Sequence, residues 1–396
     1  MAVNNEAAVA TPLPPENQKE QRGTLAVRVL MVAAPFLLAA GFVGLAAAHG
    51  KFAANFELTF WPAGRDVLHG TSPFPPVTRE ALAPGKAFVY PAPAALLMVP
   101  FALLPLHVAA TLFTVLLAGC GVLALYLVGV RDWRCYSVIF LWFPVLSELQ
   151  KANLTLLLAL GAALVWRFRD RAVVVALAAG AFVSLKLLLW PLVVWLFAAR
   201  RYAAALCSVA ATAAFTFGAW AVLGFAGIGD YIPTVRLLSK IEKDASYTPY
   251  AIGLLLGLGA TVAQALGLLV AAAVLGGAVL LARKGDERRA FVLALAACIL
   301  FSPIVWLHYF ALFVVAVGLL KPHFGWIWLV PILAIGAPRP GGPSWWAVMN
   351  LAFWAILLVI AMRDADREEN PPGHVQTLVP NGLKLPRSRR IRAAGS

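Results

Sequence analysis

Five long apolar runs limit the folds that are open to this chain. They lie at residues 26–49, 106–129, 203–226, 259–282 and 344–362, and each has about the 20 residues that a helix needs to cross a bilayer. The whole chain is 62% hydrophobic and only 13% charged. A water-soluble fold of this size cannot bury so much apolar surface. The sequence therefore predicts an all-α integral membrane protein, a polytopic helical bundle.

Shorter apolar segments raise the expected number of transmembrane helices to about 10–13. These segments are short or interrupted by proline, and they lie at 88–105, 135–149, 152–166, 172–198, 290–302, 304–320 and 325–337. Broken helices are tolerated at membrane depth where they line a cavity in the protein. We therefore expect some of these segments to be broken or re-entrant.

The polar ends of the chain define its expected organisation. Residues 1–25 are polar and predict a disordered cytoplasmic N-terminus, and residues 363–396 predict a basic, disordered cytoplasmic tail. Residues 26–362 form the predicted transmembrane domain, with a first outer loop at 50–87. The first apolar run is too long for a signal-peptide core, so we interpret it as a retained helix.

Basic residues account for the net charge of +14 and cluster at the ends of apolar runs, as in "RFRDR" (167–171), "ARRY" (199–202) and "RKGDERR" (283–289). This placement is typical of cytoplasmic loops that face anionic lipid. We expect membrane lipids rather than nucleic acid as the partner of these charges. The four cysteines show no metal-ligand spacing, and we expect no metal cofactor.

Polar side chains within or beside the apolar segments are the candidate site residues, because they are costly in a membrane. They fall in four clusters: Glu57, Arg65 and Asp66; Gln150, Lys151 and Asn153; Lys186; and Trp306 with His308. With the N-terminus inside, the positive-inside rule directs all four clusters to the outer face, whereas two passes over 88–129 would place the basic stretch "RDWR" (131–134) outside, against the rule.

Each candidate also has an ordinary structural interpretation. Arg65 suits a lipid headgroup, and Asp66 can pair with Arg65 or with His69. Lys186 can extend to an interface. Gln150 and Asn153 can hydrogen-bond between helices, and His308 can be a satisfied core residue.

Taken together, the four clusters suggest one chemistry. A carboxylate can deprotonate an acceptor hydroxyl, and a lysine in an apolar wall suits a lipid-linked phosphate. Trp306 offers a flat surface to a sugar or prenyl chain, and His308 can bond a hydroxyl or phosphate oxygen. This set is consistent with glycosyl transfer from a lipid-linked donor.

Five motifs in one order resemble glycosyltransferase family 87, among the multispanning C-type glycosyltransferases. They are "FELTFWPAGRDVLHGTSPF" (56–74), "YPAPAALLMVPFALLP" (90–105), "QKANLTLLL" (150–158), "SLKLLLWPL" (184–192) and "SPIVWLHY" (302–309). The resemblance implies a polyprenyl-phosphate sugar donor, inversion at the anomeric carbon, a first-loop carboxylate base and no metal. The family normally has Asp where this chain has Glu57, and the longer side chain shifts the carboxylate by about 1 Å, which catalysis can detect.

The leading hypothesis is transfer of mannose to a hydroxyl of a lipid-linked or cell-envelope glycan, with Glu57 or else Asp66 as base. The other site residues would bind the donor phosphate and sugar. We expect a monomer in the plasma membrane with the active site facing outside. Alternatives are an arabinofuranosyltransferase that uses a polyprenyl-phosphate donor, a lipid-linked-sugar transporter or flippase, and an inactive family member.

Overall fold

The computed structural model describes residues 15–82, 87–334 and 344–369, and within these ranges it contains sixteen α-helices and no β-strand. In chain order the helices are α1 (Pro15–Ala48), α2 (Trp61–Leu68), α3 (Ala92–Ala102), α4 (Leu106–Val128), α5 (Trp133–Val138), α6 (Phe143–Lys151), α7 (Thr155–Arg167), α8 (Ala172–Leu185), α9 (Trp190–Ala198), α10 (Tyr202–Val222), α11 (Tyr231–Ile241), α12 (Pro249–Leu255), α13 (Ala260–Arg283), α14 (Glu287–Phe301), α15 (Phe313–Leu320) and α16 (Ser344–Glu369).

Five of these helices are long and apolar enough to cross a membrane. The spanning stretches are Val29–Ala48, Leu106–Val128, Tyr202–Val222, Ala260–Arg283 and Trp345–Ala365, which match the five predicted runs. Their outer faces expose large apolar side chains, such as Val115 at 65% and Leu269 at 66%. Such surfaces are unusual on soluble monomers and suit contact with lipid. A polytopic, all-helical membrane fold is therefore confirmed.

The shorter segments are broken, as the sequence predicted. α6 and α7 meet at an angle of 117° and together form a sixth candidate span or a re-entrant loop. The bend occurs at Ala152, which has a left-handed φ of 49°. α8 ends at Leu185, Lys186 is extended, and α9 begins only at Trp190 with Pro191 in its first turn. Five or six spans have sufficient length in the described residues, so the expected total of about 10–13 rests on the shorter segments.

Both ends of the transmembrane domain are more helical than predicted. α1 begins at Pro15, whereas we expected disorder up to residue 25. The segment is rich in Glu, Gln, Lys and Arg, which favour helix, and proline is well suited to a first helical position. α16 likewise continues to Glu369, beyond the predicted boundary at 362. The rest of both predicted tails, 1–14 and 370–396, lies outside the described residues.

Small residues bring the central helices close together. α8 packs on α10, α4 on α7, and α13 on α14. A Cβ atom on Gly180 of α8 would lie 2.5 Å from the Cβ of Ala211 on α10, so only glycine fits at this crossing. Close approach through small residues is a common way for helices to associate in membranes.

Three basic loops meet at one end of the bundle. Arg201 pairs with Asp170 at 2.8 Å and with Glu287 at 2.7 Å, and Glu287 also pairs with Arg169 at 3.1 Å. The Arg201 guanidinium lowers the pKa of Asp170 below its usual value. These ion pairs tie together the loops that precede α8, α10 and α14.

Candidate functional site

Two neighbouring cavities lie at the breaks in the shorter helices. The first, here the Lys186 cavity, has a volume of about 330 Å³. Its walls are mainly apolar and aromatic, and they include Tyr90, Lys186, Trp190, Tyr231, Trp306 and Tyr309. It lies between α11, the break after α8 and the segment that follows α14.

The Lys186 side chain provides a buried positive charge in this cavity. Its Nζ lies 3.6 Å from the centroid of the Tyr309 ring and 4.9 Å from that of Tyr90, both cation–π distances. Nζ has no hydrogen-bond partner among the described residues. A buried ammonium without such partners is costly, so an anionic ligand at this position would be bound strongly.

Glu148 is a buried carboxylate that the sequence analysis missed. Its side chain is fully buried, and its Oε1 accepts hydrogen bonds from the backbone N–H groups of Thr155 at 2.5 Å and Leu156 at 3.2 Å. Glu148 therefore caps the first turn of α7, and its charge also acts on Lys186. Its position beside an apolar segment was the signal that could have identified it.

The second cavity, here the Glu242 cavity, has a volume of about 310 Å³ and more polar walls. Its polar lining residues are Asn55, Thr59, Lys151, Asn153, Glu242 and Trp306. Glu242 opens the 3₁₀-helix Glu242–Ala245 after α11, and its Oε2 accepts a hydrogen bond from Trp306 Nε1 at 3.4 Å. Asn55, Thr59 and Glu242 were not among the predicted site residues.

The two cavities share one wall, formed by Val89, Tyr90, Leu238 and Trp306. The Tyr90 ring faces Lys186, while its hydroxyl donates a hydrogen bond to Asn153 Oδ1 at 3.0 Å. Tyr90 thus connects the buried cation on one side with the polar groups on the other. A molecule in each cavity would meet its neighbour at this wall.

His308 lies behind the shared wall. It is fully buried, stacks on Trp306 with ring centroids 5.9 Å apart, and packs against Tyr309 at 5.0 Å. Neither ring nitrogen has a hydrogen-bond partner among the described residues. The structure therefore brings five of the predicted site residues together: Lys151, Asn153, Lys186, Trp306 and His308.

Glu57, the predicted base, lies on the wall of neither cavity. It sits in a π-helical turn, Phe56–Phe60, between Asn55 and Thr59, which do line the Glu242 cavity. Residues two apart in a helix do not share a face, which accounts for the absence of Glu57 from the wall that Asn55 and Thr59 line. The π-helix, which alters the helical phase of the whole stretch, was not predicted.

The remaining predicted residues also lie outside the two cavities. Asp66 accepts a hydrogen bond from Thr71 Oγ1 at 3.4 Å, and partial burial raises the pKa of its carboxyl above the usual value. Arg65 is exposed and stacks over Trp61 at 5.0 Å. Gln150 contributes its backbone carbonyl to Ala53. Within 29–82, 87–334 and 345–365, no three His, Cys, Asp or Glu side chains are grouped to hold a metal ion.

The fold is that of a multi-pass helical membrane protein, and its two adjoining cavities contain a buried lysine and a carboxylate. The model of glycosyltransferase family 87 matches residues 88–307, more than half of the chain. The chain therefore belongs to glycosyltransferase family 87 and is a membrane glycosyltransferase. The match includes both cavities' central residues but begins after the Glu57 stretch. No curated protein and no solved structure matches the chain.

Proposed function

We infer that this glycosyltransferase moves mannose from a polyprenyl-phosphate donor to a hydroxyl of a lipid-linked or cell-envelope glycan. The observation that carries the proposal is Lys186, a buried cation without hydrogen-bond partners in a largely apolar cavity. A polyprenyl phosphate combines the two properties that this cavity would select, an apolar chain and an anionic head. The site would face the outside of the plasma membrane.

The shape of the Lys186 cavity supports a donor that stays in the bilayer. Leu187 and Ile232 line the cavity and are 46% and 53% exposed. Their exposure gives the cavity an apolar margin next to the lipid-facing surface. A prenyl chain can leave the cavity across this margin while its phosphate reaches Lys186.

The Glu242 cavity supports a hydroxylated acceptor. Amide, hydroxyl, ammonium and carboxylate groups line it, and sugar hydroxyls both donate to and accept from such groups. Transfer with inversion requires the acceptor oxygen to attack the anomeric carbon from the side opposite to the leaving phosphate. A carboxylate near the acceptor would take its proton, and Glu57, or else Asp66, is the candidate for this role.

The proposal is tested with purified protein in lipid vesicles. Polyprenyl-phosphate-[¹⁴C]mannose is supplied together with a lipid extract and an insoluble cell-envelope fraction as acceptors. We expect label in an acceptor product, formed with inversion and in the presence of a metal chelator. If an acceptor product forms from labelled polyprenyl-phosphate-arabinofuranose and not from the mannose donor, the donor sugar is arabinose rather than mannose.

The same vesicles distinguish a glycosyltransferase from a transporter or flippase. Movement of intact labelled donor across the bilayer, without transfer to any acceptor, would contradict the proposal. If the native protein neither transfers nor hydrolyses any lipid-linked sugar, and Glu57→Asp restores transfer, the native protein is an inactive family member.

A further inference from the structure

A third cavity lies beside the two that the proposed reaction uses. It has a volume of about 410 Å³ and lies between α11, α13 and the end of α14. It adjoins the Lys186 cavity, because Arg236 of α11 and residues 301–303 line both. No step of the proposed transfer takes place in this third space, here the Arg236 cavity.

Two cations without a counter-charge line the Arg236 cavity. Arg236 and Lys240 lie four residues apart on α11, and therefore on the same face of the helix. Both are exposed, and neither has an ion pair or a side-chain hydrogen bond among the described residues. In the described part of the chain, no Asp or Glu lines this cavity. Like charges at this spacing disfavour a helix, so an anion bound beside both would stabilise α11.

Neutral polar groups face the two cations across the cavity. Thr261 and Gln264 line it from the first two turns of α13. Gln264 lies within the apolar candidate span Ala260–Arg283, and its amide has no hydrogen-bond partner in the parts of the chain that the structure describes. A polar side chain in such a span is costly and points to a function. Guanidinium, ammonium, hydroxyl and amide groups all donate hydrogen bonds to phosphate oxygens, so this set of donors suits a phosphate group.

The Arg236 cavity also adjoins a lipid-facing surface. Leu268 lines the cavity and is 48% exposed, and the neighbouring Leu269 is 66% exposed. α13 ends at Arg283, in the basic loop that is expected in the cytoplasm, so its first turns belong to the outer surface of the membrane. A headgroup in this cavity would therefore come from the outer leaflet, with its acyl chains along α13.

We propose that the Arg236 cavity binds the headgroup of an anionic phospholipid from the outer leaflet. The lipid phosphate lies beside Arg236 and Lys240, and Thr261 and Gln264 bind the polar part of the headgroup. Zwitterionic phospholipids fit less well, because their ammonium group would meet two cations and no carboxylate. The site is distinct from the proposed donor and acceptor sites, and its occupant is a lipid that takes no part in the transfer reaction.

The test uses purified protein in phosphatidylcholine vesicles that contain a small fraction of photoreactive phosphatidylglycerol. Mass spectrometry of the cross-linked peptides locates the bound lipid, and we expect labelled peptides from α11 and from the first turns of α13. In the double variant Arg236→Gln/Lys240→Gln, the same labelling should require about 30-fold more phosphatidylglycerol, since each basic residue near an anionic lipid surface contributes about fivefold. Photoreactive phosphatidylcholine with the same acyl chains should label these peptides only weakly.

Two further variants control for charge and folding. Lys51→Gln/Arg79→Gln removes two exposed charges outside the cavity, and its labelling should equal that of the wild type. Arg236→Lys/Lys240→Arg keeps both charges and should keep the labelling. The melting temperature of Arg236→Gln/Lys240→Gln should stay the same or rise, because two like charges no longer share a helical face, so weak labelling is measured on folded protein.

Three results would overturn the proposal. One is equal labelling by phosphatidylglycerol and phosphatidylcholine, and another is undiminished labelling of Arg236→Gln/Lys240→Gln. The third is loss of labelling in excess inorganic phosphate, compared with sodium chloride at the same ionic strength, which would show that the cavity takes free phosphate instead of a lipid headgroup. No sugar donor is present in this experiment, so its outcome is independent of the proposed transfer reaction.

Discussion

The two ends of α8 differ in whether their charged side chains are paired. At its N-terminal end, Arg201 is bound by Asp170 and Glu287 in a cluster of ion pairs. At its C-terminal end, about 21 Å away for a 14-residue helix, Lys186 is buried without a hydrogen-bond partner among the described residues. The first arrangement satisfies its charges internally, while the second leaves a cation available to a ligand.

This difference separates residues that maintain the fold from residues that serve a substrate. Paired charges gain from each other once the protein is folded, and their loss should reduce stability. A buried, unsatisfied charge makes folding less favourable, so its retention points to a function in binding. Substitution of Lys186 should therefore lower activity, whereas substitution of Arg201 should lower stability.

The largest effect is expected for Lys186→Met. Removing the cation should reduce transfer by at least about 100-fold, comparable to losing a key electrostatic contact in a transition state. The melting temperature should stay the same or rise, because methionine fills the space without a buried charge. Transfer assays and thermal unfolding in detergent measure both quantities, with Lys284→Met in an exposed loop as the control. A fall in melting temperature with normal transfer would show that Lys186 maintains the fold rather than binding a substrate.

Arg201→Gln should have the opposite pattern. It removes two ion pairs at once, and we expect a loss of about 2 kcal/mol in stability, between the values typical of surface and buried pairs. Transfer per folded molecule should be unchanged. Arg200→Gln, at the exposed neighbouring position, is the control in the same unfolding experiment. Equal effects of the two variants would show that the ion pairs contribute little.

Tyr90→Phe examines the wall between the cavities. The substitution removes the hydrogen bond to Asn153 but keeps the ring beside Lys186. We expect a stability loss of about 1 kcal/mol and up to about a tenfold rise in the KM for the acceptor, with the KM for the donor unchanged. Steady-state kinetics with each substrate varied in turn provide the measurement. A change in the donor KM alone would contradict the division between a donor and an acceptor cavity.

The smallest effect is expected from the ion pair of Asp132 and Arg134, which lies in the loop after α4. The Arg134 guanidinium lowers the pKa of Asp132 from 3.8 to about 2. A lowered carboxyl pKa adds stability that is complete above about pH 4 and lost as the pH falls toward 2. Since the pair is partly exposed, we expect about 1 kcal/mol at neutral pH. The melting temperatures of wild type and Asp132→Asn should differ at pH 7, and the difference should shrink as the pH falls from about 4 toward 2; a constant difference would contradict this assignment.

The sequence predicted the elements that depend on length and apolar character. The five long helices follow from bilayer thickness, and the break at Lys186 follows from Pro191 in the next helical turn. Lys186, His308 and Asn153 were found because polar side chains are rare in apolar segments. These features depend on local composition alone.

The missed features depend on contacts between distant segments. The π-helical turn that contains Glu57 was not predicted, and it decides which side chains of the first loop line the Glu242 cavity. Glu242 lies in an ordinary polar stretch, and only the packing of its loop against Trp306 brings it to the site. The burial of Glu148 is explained by the hydrogen bonds that its carboxylate accepts from the start of α7. These bonds cross the bend at Ala152, which has a left-handed φ.

The exposed margin of the Lys186 cavity, formed by Leu187 and Ile232, has a kinetic consequence. A donor that enters across this margin diffuses in two dimensions within the bilayer. Its effective concentration is then its mole fraction among the lipids rather than its amount per volume of solution. Adding inert lipid at constant protein and constant total donor should slow the enzyme, whereas diluting the whole vesicle suspension with buffer should leave the turnover of each molecule unchanged.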